Sequence, residues 1–404
     1  MTSSRTEQTV AELLRGVVDC VDRAHLRARL QEGRPLRIKF GVDPSAPDIH
    51  LGHTVPMRLL RRWQRHGHLP VLIIGDYTAR IGDPTGRSAT RPQLSPQQVD
   101  ANAKTYLDQL FRVVDRERCE VRHQSEWFSA FSLDHVLRLA RTTTVAQLLQ
   151  RSDFDQRMRS EQPIGVHELL YPLLQGYDSV AVEADVELGG TDQLFNLLRG
   201  REVQQAYGMG AQDIVTVPLL VGLDGQRKMS KSLGNAVAVA DPPEQQFGQL
   251  MSIPDELTLS YLELLTDAGE EELTGWRQGL GDGSVHPRWL KAEMATRVVA
   301  QFHGEAAARA ASREFDAVFR DGRLPSDIAE VEVDSAPLDV RELLVTAGLA
   351  ASRSEAARLV SQGGVRLDDR VVANWAERVS PAEGMLLRVG KRRVVRLRRR
   401  PNRS

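Results

Sequence analysis

Apolar residues recur at three- and four-residue spacing through "TVAELLRGVVDCVDRAHLRARLQEG", residues 9–33, and predict helix. "RPLRIKFGVDPSAPD", 34–48, then moves from a β-like run into Pro-rich turn chemistry. "LGHTVPMRLLRRWQRHGH" reads as a helix and "LPVLIIGD" as a buried strand. Strand, helix, strand is the unit of a parallel sheet. "DSVAVEADVELGG", the helical "TDQLFNLLRGREVQQAYG" and the strand-like "DIVTVPLLVGLDG" repeat that rhythm, which predicts an α/β doubly wound, Rossmann-like domain over about 35–225. From about Pro242 to Arg320 the pattern is helical. "DGRLPSDIAEVEVDSAP" interrupts the periodicity and predicts a linker over 323–336. Beyond it, "LDVRELLVTAGLAASRSEAARLVSQGGVRLDDRVV" predicts two short helices, a turn and a strand, so 337–404 should be a small α+β domain.

At 404 residues the chain is long enough for two or three domains. Its 53 basic and 54 acidic residues leave a formal charge of -1, which names no partner. The distribution is more informative: "MLLRVGKRRVVRLRRRPNRS" has many cations and only apolar or neutral residues between them, and predicts a basic edge or tail that meets nucleic acid. Cys20 and Cys119 stand far apart, which suits a reducing compartment and cannot supply a cysteine zinc cluster. The lack of a signal-like start and of any run of about 18 apolar residues predicts a soluble, cytoplasmic chain with no membrane partner.

Candidate chemistry begins at "PDIHLGHT". His50 and His53 flank Gly52 just after a predicted strand, where a following helix presents free N–H groups to ligands. Two imidazoles there can donate to an oxyanion, and Gly52 permits close approach. From spacing alone the pair reads equally as helix-start punctuation. A metal is poorly supported, because His66 and His68 lie at the far end of the predicted helix. "GQRKMSKSLGN", 225–235, is a polar loop whose Lys228 and Lys231 suit a polyphosphate, or else an ordinary exposed basic loop. On "HELLYPLLQGYDSV", Tyr171, Gln175 and Asp178 stand at i, i+4 and i+7, a hydrogen-bonding line on an apolar helix, open to a polar ligand or to a buried network.

"HLGH" at 50–53 is similar to the HIGH signature of class I aminoacyl-tRNA synthetases, and "KMSKS" at 228–232 matches their second signature. "GVDPSAPDIHLGH", "IGDYTARIGDPTGR", "YPLLQGYDSV", "ELGGTDQLFN" and "PLLVGLDGQRKMSKSLGN" resemble the bacterial tyrosyl-tRNA synthetases, and "SRSEAARLVSQGGVRLDDRVV" resembles the alpha-L RNA-binding motif that ends those enzymes. The resemblance implies a catalytic domain with N-terminal helices over 1–225, the KMSKS loop and a helical anticodon-side domain over 226–322, and an RNA-binding domain over 337–404. It implies tyrosine activation by ATP, then transfer to the 3′-terminal adenosine of tRNA(Tyr).

Roles follow from the same resemblance. His50, His53, Lys228 and Lys231 are expected to be catalytic toward the ATP phosphates. Ser45, Gly41, Gly52, Gly190, Asp192, Met229, Ser230 and Ser232 are expected to join the lysines around ATP. Thr78, Asp83, Tyr171, Gln175, Asp178, Gln193 and Lys39 are expected to bind tyrosine, with Asp178 accepting from the phenol and Asp83 meeting the ammonium group. Mg²⁺ is expected to arrive as the ATP complex, without a dedicated protein site or a tightly bound cofactor. Arg353, Arg358 and Arg366 are expected to contact tRNA phosphates, in a homodimer. Lys39 is a departure, since many bacterial tyrosyl enzymes place tyrosine there; it either pairs with Asp178 or points away from the pocket. A tryptophanyl enzyme, a vestigial RNA-binding relative and a ligase with another acceptor are the rival readings.

Overall fold

The computed structural model describes residues 3–83, 94–319, 328–334, 336–368, 370–390 and 393–400. It divides into two compact units, 1–305 and 306–404.

The first unit is built on a six-stranded sheet: β1 (Asp19–Val21), β2 (Arg37–Val42), β3 (Leu69–Ile74), β4 (Glu120–His123), β5 (Val186–Gly190) and β6 (Asp213–Val217), in the order β1-β6-β5-β2-β3-β4. All pairings are parallel except β1 with β6. Val71, Leu72, Ile73 and Ile74 are buried in succession, as a strand covered on both faces requires. The Leu51–Arg65 helix buries Leu51, Val55, Leu59, Leu60 and Trp63, a helical stripe. The Val166–Ala181 helix runs through Pro172 and packs along the Leu194–Ala206 helix, where Gly176 is close to Val203 and the Gly200 backbone. The chain order proceeds outward from β2 through β3 to β4 and, on the other side, from β5 to β6. A crevice therefore opens between the carboxyl ends of β2 and β5, the place where doubly wound sheets receive ligands. Helices Pro243–Leu250, Thr258–Leu265, Glu270–Asp282 and Pro287–His303 form the helical part, with Phe247, Leu262, Leu273, Met294 and Val298 buried.

Local readings differ in two places. Residues 9–33 contain β1 between helices Ser3–Leu13 and Arg23–Glu32, because Gly16 (φ 73°) and Asp22 (φ 67°) turn the chain left-handed on either side of it. In "DSVAVEADVELGG" the helix continues to Ala181, and only Val186–Gly190 is strand.

The second unit begins within the Glu305–Phe319 helix, which was expected to close the helical domain. Its strands are β7 (Ala329–Val333), β8 (Leu338–Asp339), β9 (Val365–Leu367), β10 (Arg370–Val371), β11 (Arg378–Val379), β12 (Leu386–Val389) and β13 (Arg393–Arg399). Five form a sheet in the order β10-β9-β12-β13-β7, and β8 pairs with β11. Helices Val340–Thr346 and Arg353–Ser361 contribute Leu343, Leu344, Ala356 and Val360 to a core shared with Val365, Leu387, Val395 and Leu397. Two corrections follow. The segment expected to be a linker contains β7, with 323–327 and 335 outside the described residues. The expected basic edge or tail is instead β13, seated between β12 and β7; residues 391–392 and 401–404 lie outside the description. From Val395 to Arg398 apolar and basic residues alternate with the two-residue period of a strand, Val395 and Leu397 facing the core, while Val394 is buried on the other face.

Candidate active site

Between the carboxyl ends of β2 and β5 lies a cavity of about 230 Å³. Gly41, Ser45, His53, Thr78, Asp83, Tyr171, Gln175, Asp178, Gly190 and Gln193 all line it, so residues spread over more than 150 positions converge there. The tight turn after β3 helps to shape the wall. A Cβ on Gly75 would lie 2.1 Å from Asp43 Oδ1 and 2.4 Å from Thr78 Oγ1, so only glycine fits.

His50 caps the Leu51–Arg65 helix in extended conformation, and His53 stands three residues in. Their rings are 3.9 Å apart. The His50 backbone N–H donates to His53 Nδ1 at 3.1 Å, which leaves the ring proton of neutral His53 on Nε2. Burial, with the nearby charges of His53, Lys231 and Lys228 adding to it, pushes His50 down to about 2; burial likewise lowers His53 to about 4. Both are neutral near pH 7. Nδ1 of His50 is buried and has no hydrogen-bond partner, a polar atom suited to a ligand. A Cβ on Gly52 would meet the His50 ring at 3.0 Å, so this glycine makes room for the imidazole itself.

Along the Val166–Ala181 helix, the Tyr171 hydroxyl donates to Asp43 at 2.7 Å. Gln124 donates to Asp178 at 2.8 Å, and Trp127 Nε1 donates to its other oxygen at 3.2 Å. Burial pushes the Asp178 carboxyl up to about 7, with Glu187 adding to the rise and Lys39, Gln124 and Trp127 opposing it. Thr78 Oγ1 lies 2.7 Å from Asp43 and 3.0 Å from Gln124 Oε1. Asp83 accepts from Arg151 at 3.1 Å and from Gln193 at 2.8 Å. The cavity lining thus includes two carboxylates, Asp83 and Asp178, the latter sharing one helix face with Tyr171 and Gln175.

Lys39 differs from its expected contact role. It is absent from the cavity lining, and its ammonium group pairs with Glu187 at 2.9 Å rather than with Asp178. His50, Gly52, Asp192 and residues 228–232 do not line the cavity either. Lys228 pairs with Asp192 at 3.0 Å and Lys231 with Asp48 at 3.1 Å, so the loop cations rest on carboxylates. Met229 is buried and packs its Cβ toward Gly52; Ser230 and Ser232 hydroxyls are 3.0 Å apart. Asn235 anchors the loop by accepting the Ser230 N–H at 2.8 Å.

Sequence reasoning missed Asp43, Gln124, Trp127 and Arg151. Asp43 had a signal, standing in "GVDPSAP" at the end of β2; Gln124 and Trp127 follow β4, whose weak pattern gave none. In the second unit, Arg353, Arg358 and Arg366 are exposed, and Arg353 pairs with Glu342 at 3.2 Å. Arg366 is the register partner of Arg388 across β9 and β12, and Arg396 on β13 shares that face. Arg398 is held by Glu330 on β7 at 2.7 Å.

A family profile described as "tRNA synthetases class I (W and Y)" matches residues 31–320, and one described as "S4 domain" matches 342–383. The tyrosine–tRNA ligase of Moorella thermoacetica is 48% identical over 401 residues, covering 97% of each chain, and that of Thermotoga maritima is 47% identical over 391, again covering 97% of each. Among solved structures, the Archaeoglobus fulgidus tyrosyl-tRNA synthetase complexed with L-tyrosine aligns with TM-score 0.63 at 22% identity, over 76% of this chain and 99% of that one. A tryptophanyl-tRNA synthetase from Encephalitozoon cuniculi aligns with TM-score 0.60 at 16% identity, over 76% and 92%. These two carry the fold alone. Together with the crevice, its paired imidazoles and the lysine loop, the full-length likeness means that the chain belongs to the class I tRNA synthetases of the tryptophan and tyrosine branch, enzymes whose reaction depends on ATP.

Proposed function

We propose that the amino acid of this synthetase is tyrosine and its acceptor tRNA(Tyr), carried through two steps. The tyrosine carboxylate attacks the α-phosphate of ATP, forming tyrosyl-adenylate as pyrophosphate leaves. A ribose hydroxyl of the terminal adenosine then attacks the acyl carbon, and AMP departs. The nucleophile and leaving group are already competent, so catalysis consists of positioning and of stabilising charge on phosphate. The observation that carries the reading is that two carboxylates line one cavity together with the Tyr171–Gln175–Asp178 face: Asp83 suits an ammonium group and Asp178 a phenol.

Neutral His50 and His53 donate to phosphate and ribose oxygens, as hydrogen-bond partners without full charge. Lys228 and Lys231 leave Asp192 and Asp48 to neutralise the pyrophosphate. Ser45 and the backbone at Gly41, Gly52 and Gly190 adjoin the nucleotide, and Asp192 faces its ribose. Mg²⁺ travels with the phosphates, and no tightly bound cofactor takes part. Arg353, Arg358 and Arg366 meet tRNA phosphates. The enzyme works in the cytoplasm as a homodimer; Leu133, Leu137, Val145, Met158 and Val166 of the first unit are exposed apolar side chains that a second copy would cover.

Amino-acid-dependent ATP–pyrophosphate exchange across all twenty amino acids tests the assignment. Exchange with tyrosine alone, weakened at least about a hundredfold in Lys231→Ala, is expected. Exchange with tryptophan moves the chain to the sister activity.

A further inference from the structure

Lys39 and Glu187 are register partners on β2 and β5, the two strands between which the crevice opens. Both side chains are sealed from solvent, at 0% and 1% exposure, and neither lines the cavity. Their contacts converge on one turn of the Val166–Ala181 helix. The Lys39 ammonium donates to the Gln175 backbone carbonyl at 2.7 Å and to Ser179 Oγ at 2.8 Å, besides pairing with Glu187 at 2.9 Å. Those three partners match the three protons it carries. Glu187 in turn accepts from the Gln175 side-chain amide at 3.2 Å, lies 3.3 Å from Ser179 Oγ, and accepts from Gln212.

Gln175 is therefore gripped twice, at its carbonyl by the cation and at its amide by the anion. Gln175 and Asp178 both line the cavity. A buried charge pair is costly to desolvate, and an aliphatic contact would hold a helix on a sheet without that cost; what charges add is direction. Here the direction fixes rotation of the helix about its axis, and hence where its cavity-facing side chains stand.

We propose that Lys39 and Glu187 form a positioning pair for amino-acid selection, setting Gln175 and Asp178 at the distances a phenolic amino acid requires. The inference rests on the reading of the cavity as the tyrosine site. It assigns to Lys39 an influence on the substrate exerted through the helix, with no contact of its own.

The test is steady-state ATP–pyrophosphate exchange on Lys39→Met, Glu187→Gln and the double variant, with tyrosine and ATP each varied and phenylalanine as competitor. Each single variant is expected to raise KM for tyrosine about tenfold and narrow the discrimination against phenylalanine, while KM for ATP stays within about twofold. The double variant is expected to raise KM about as much as either single and well short of their product, because the pair acts as a unit. If Lys39→Met does not fold, Ser179→Ala, which keeps both charges, should still raise KM for tyrosine about threefold. Folded variants whose tyrosine and ATP constants move together, or neither of which moves, overturn the proposal. Asp178→Asn separates the two ideas: unchanged tyrosine KM and phenylalanine discrimination there overturn the cavity assignment, and the positioning role with it.

Discussion

His50 and His53 both titrate well below neutrality, so between pH 6 and 9 neither changes charge. Asp178 does, at about 7, because burial outweighs the pull of Lys39, Gln124 and Trp127. Gln124 and Trp127 offer N–H donors to both its oxygens, an arrangement that suits the ionised form. Tyrosine affinity, read by calorimetry, should fall about tenfold from pH 8 to pH 6, the factor expected when only the ionised carboxylate binds. An affinity flat across that range would remove Asp178 as the acceptor. For stability the sign is opposite. The folded carboxyl takes up a proton more readily than the unfolded one, with its ordinary value of 3.8. Its burial penalty is present in full above pH 7 and is relieved as pH falls through 7 toward 4. Gly75→Ala is the sharpest steric probe, since a methyl group would land on Asp43 and Thr78. It should cost about 1–3 kcal/mol in chemical denaturation and remove Asp43 from reach of Tyr171, with tyrosine binding lost alongside.

Among the elements, those with long or strongly periodic patterns were legible: the Leu51–Arg65 helix, β3, and the two helices of the second unit. The crevice followed from strand–helix rhythm, and Tyr171, Gln175 and Asp178 followed from helical spacing. What the pattern hid were features set by distant partners. Three-residue β1 exists because β6 offers it an edge, and the four-residue β4 carries no buried side chain along its length. Lys39 was expected in the pocket through the resemblance, with pointing away as the alternative, and sequence does not show that a partner such as Glu187 claims it. In the second unit, the short alternation of "VRLR", Val395 to Arg398, was masked by the surrounding charge, which suggested a basic edge or tail. Once β13 is in register, Arg366, Arg388 and Arg396 share the face opposite the core. Arg388→Ala should weaken tRNA binding severalfold across all sequences and reduce the salt slope by about 1, as loss of one phosphate contact does. A filter-binding series over salt concentration reads both.

For the molecule as a whole, several large apolar side chains between Leu133 and Val166 stand exposed among polar ones, and the proposed dimer is tested there. Leu133 is 72% exposed and Val166 76%. Sedimentation of the 45.0 kDa chain should give twice that mass, and Leu133→Glu combined with Val166→Glu should return it to a single copy. The two units also differ in the order in which synthesis can complete them. The sheet of the first unit has its last strand in place by Val217. In the second, β7 is made some sixty residues before β13, its one partner in the sheet, and β12 likewise waits for β13 on that side. A growing chain can therefore close the sheet beneath the crevice while the sheet of the second unit still stands open, so on the proposed function the parts that activate the amino acid would be made before those that hold its tRNA.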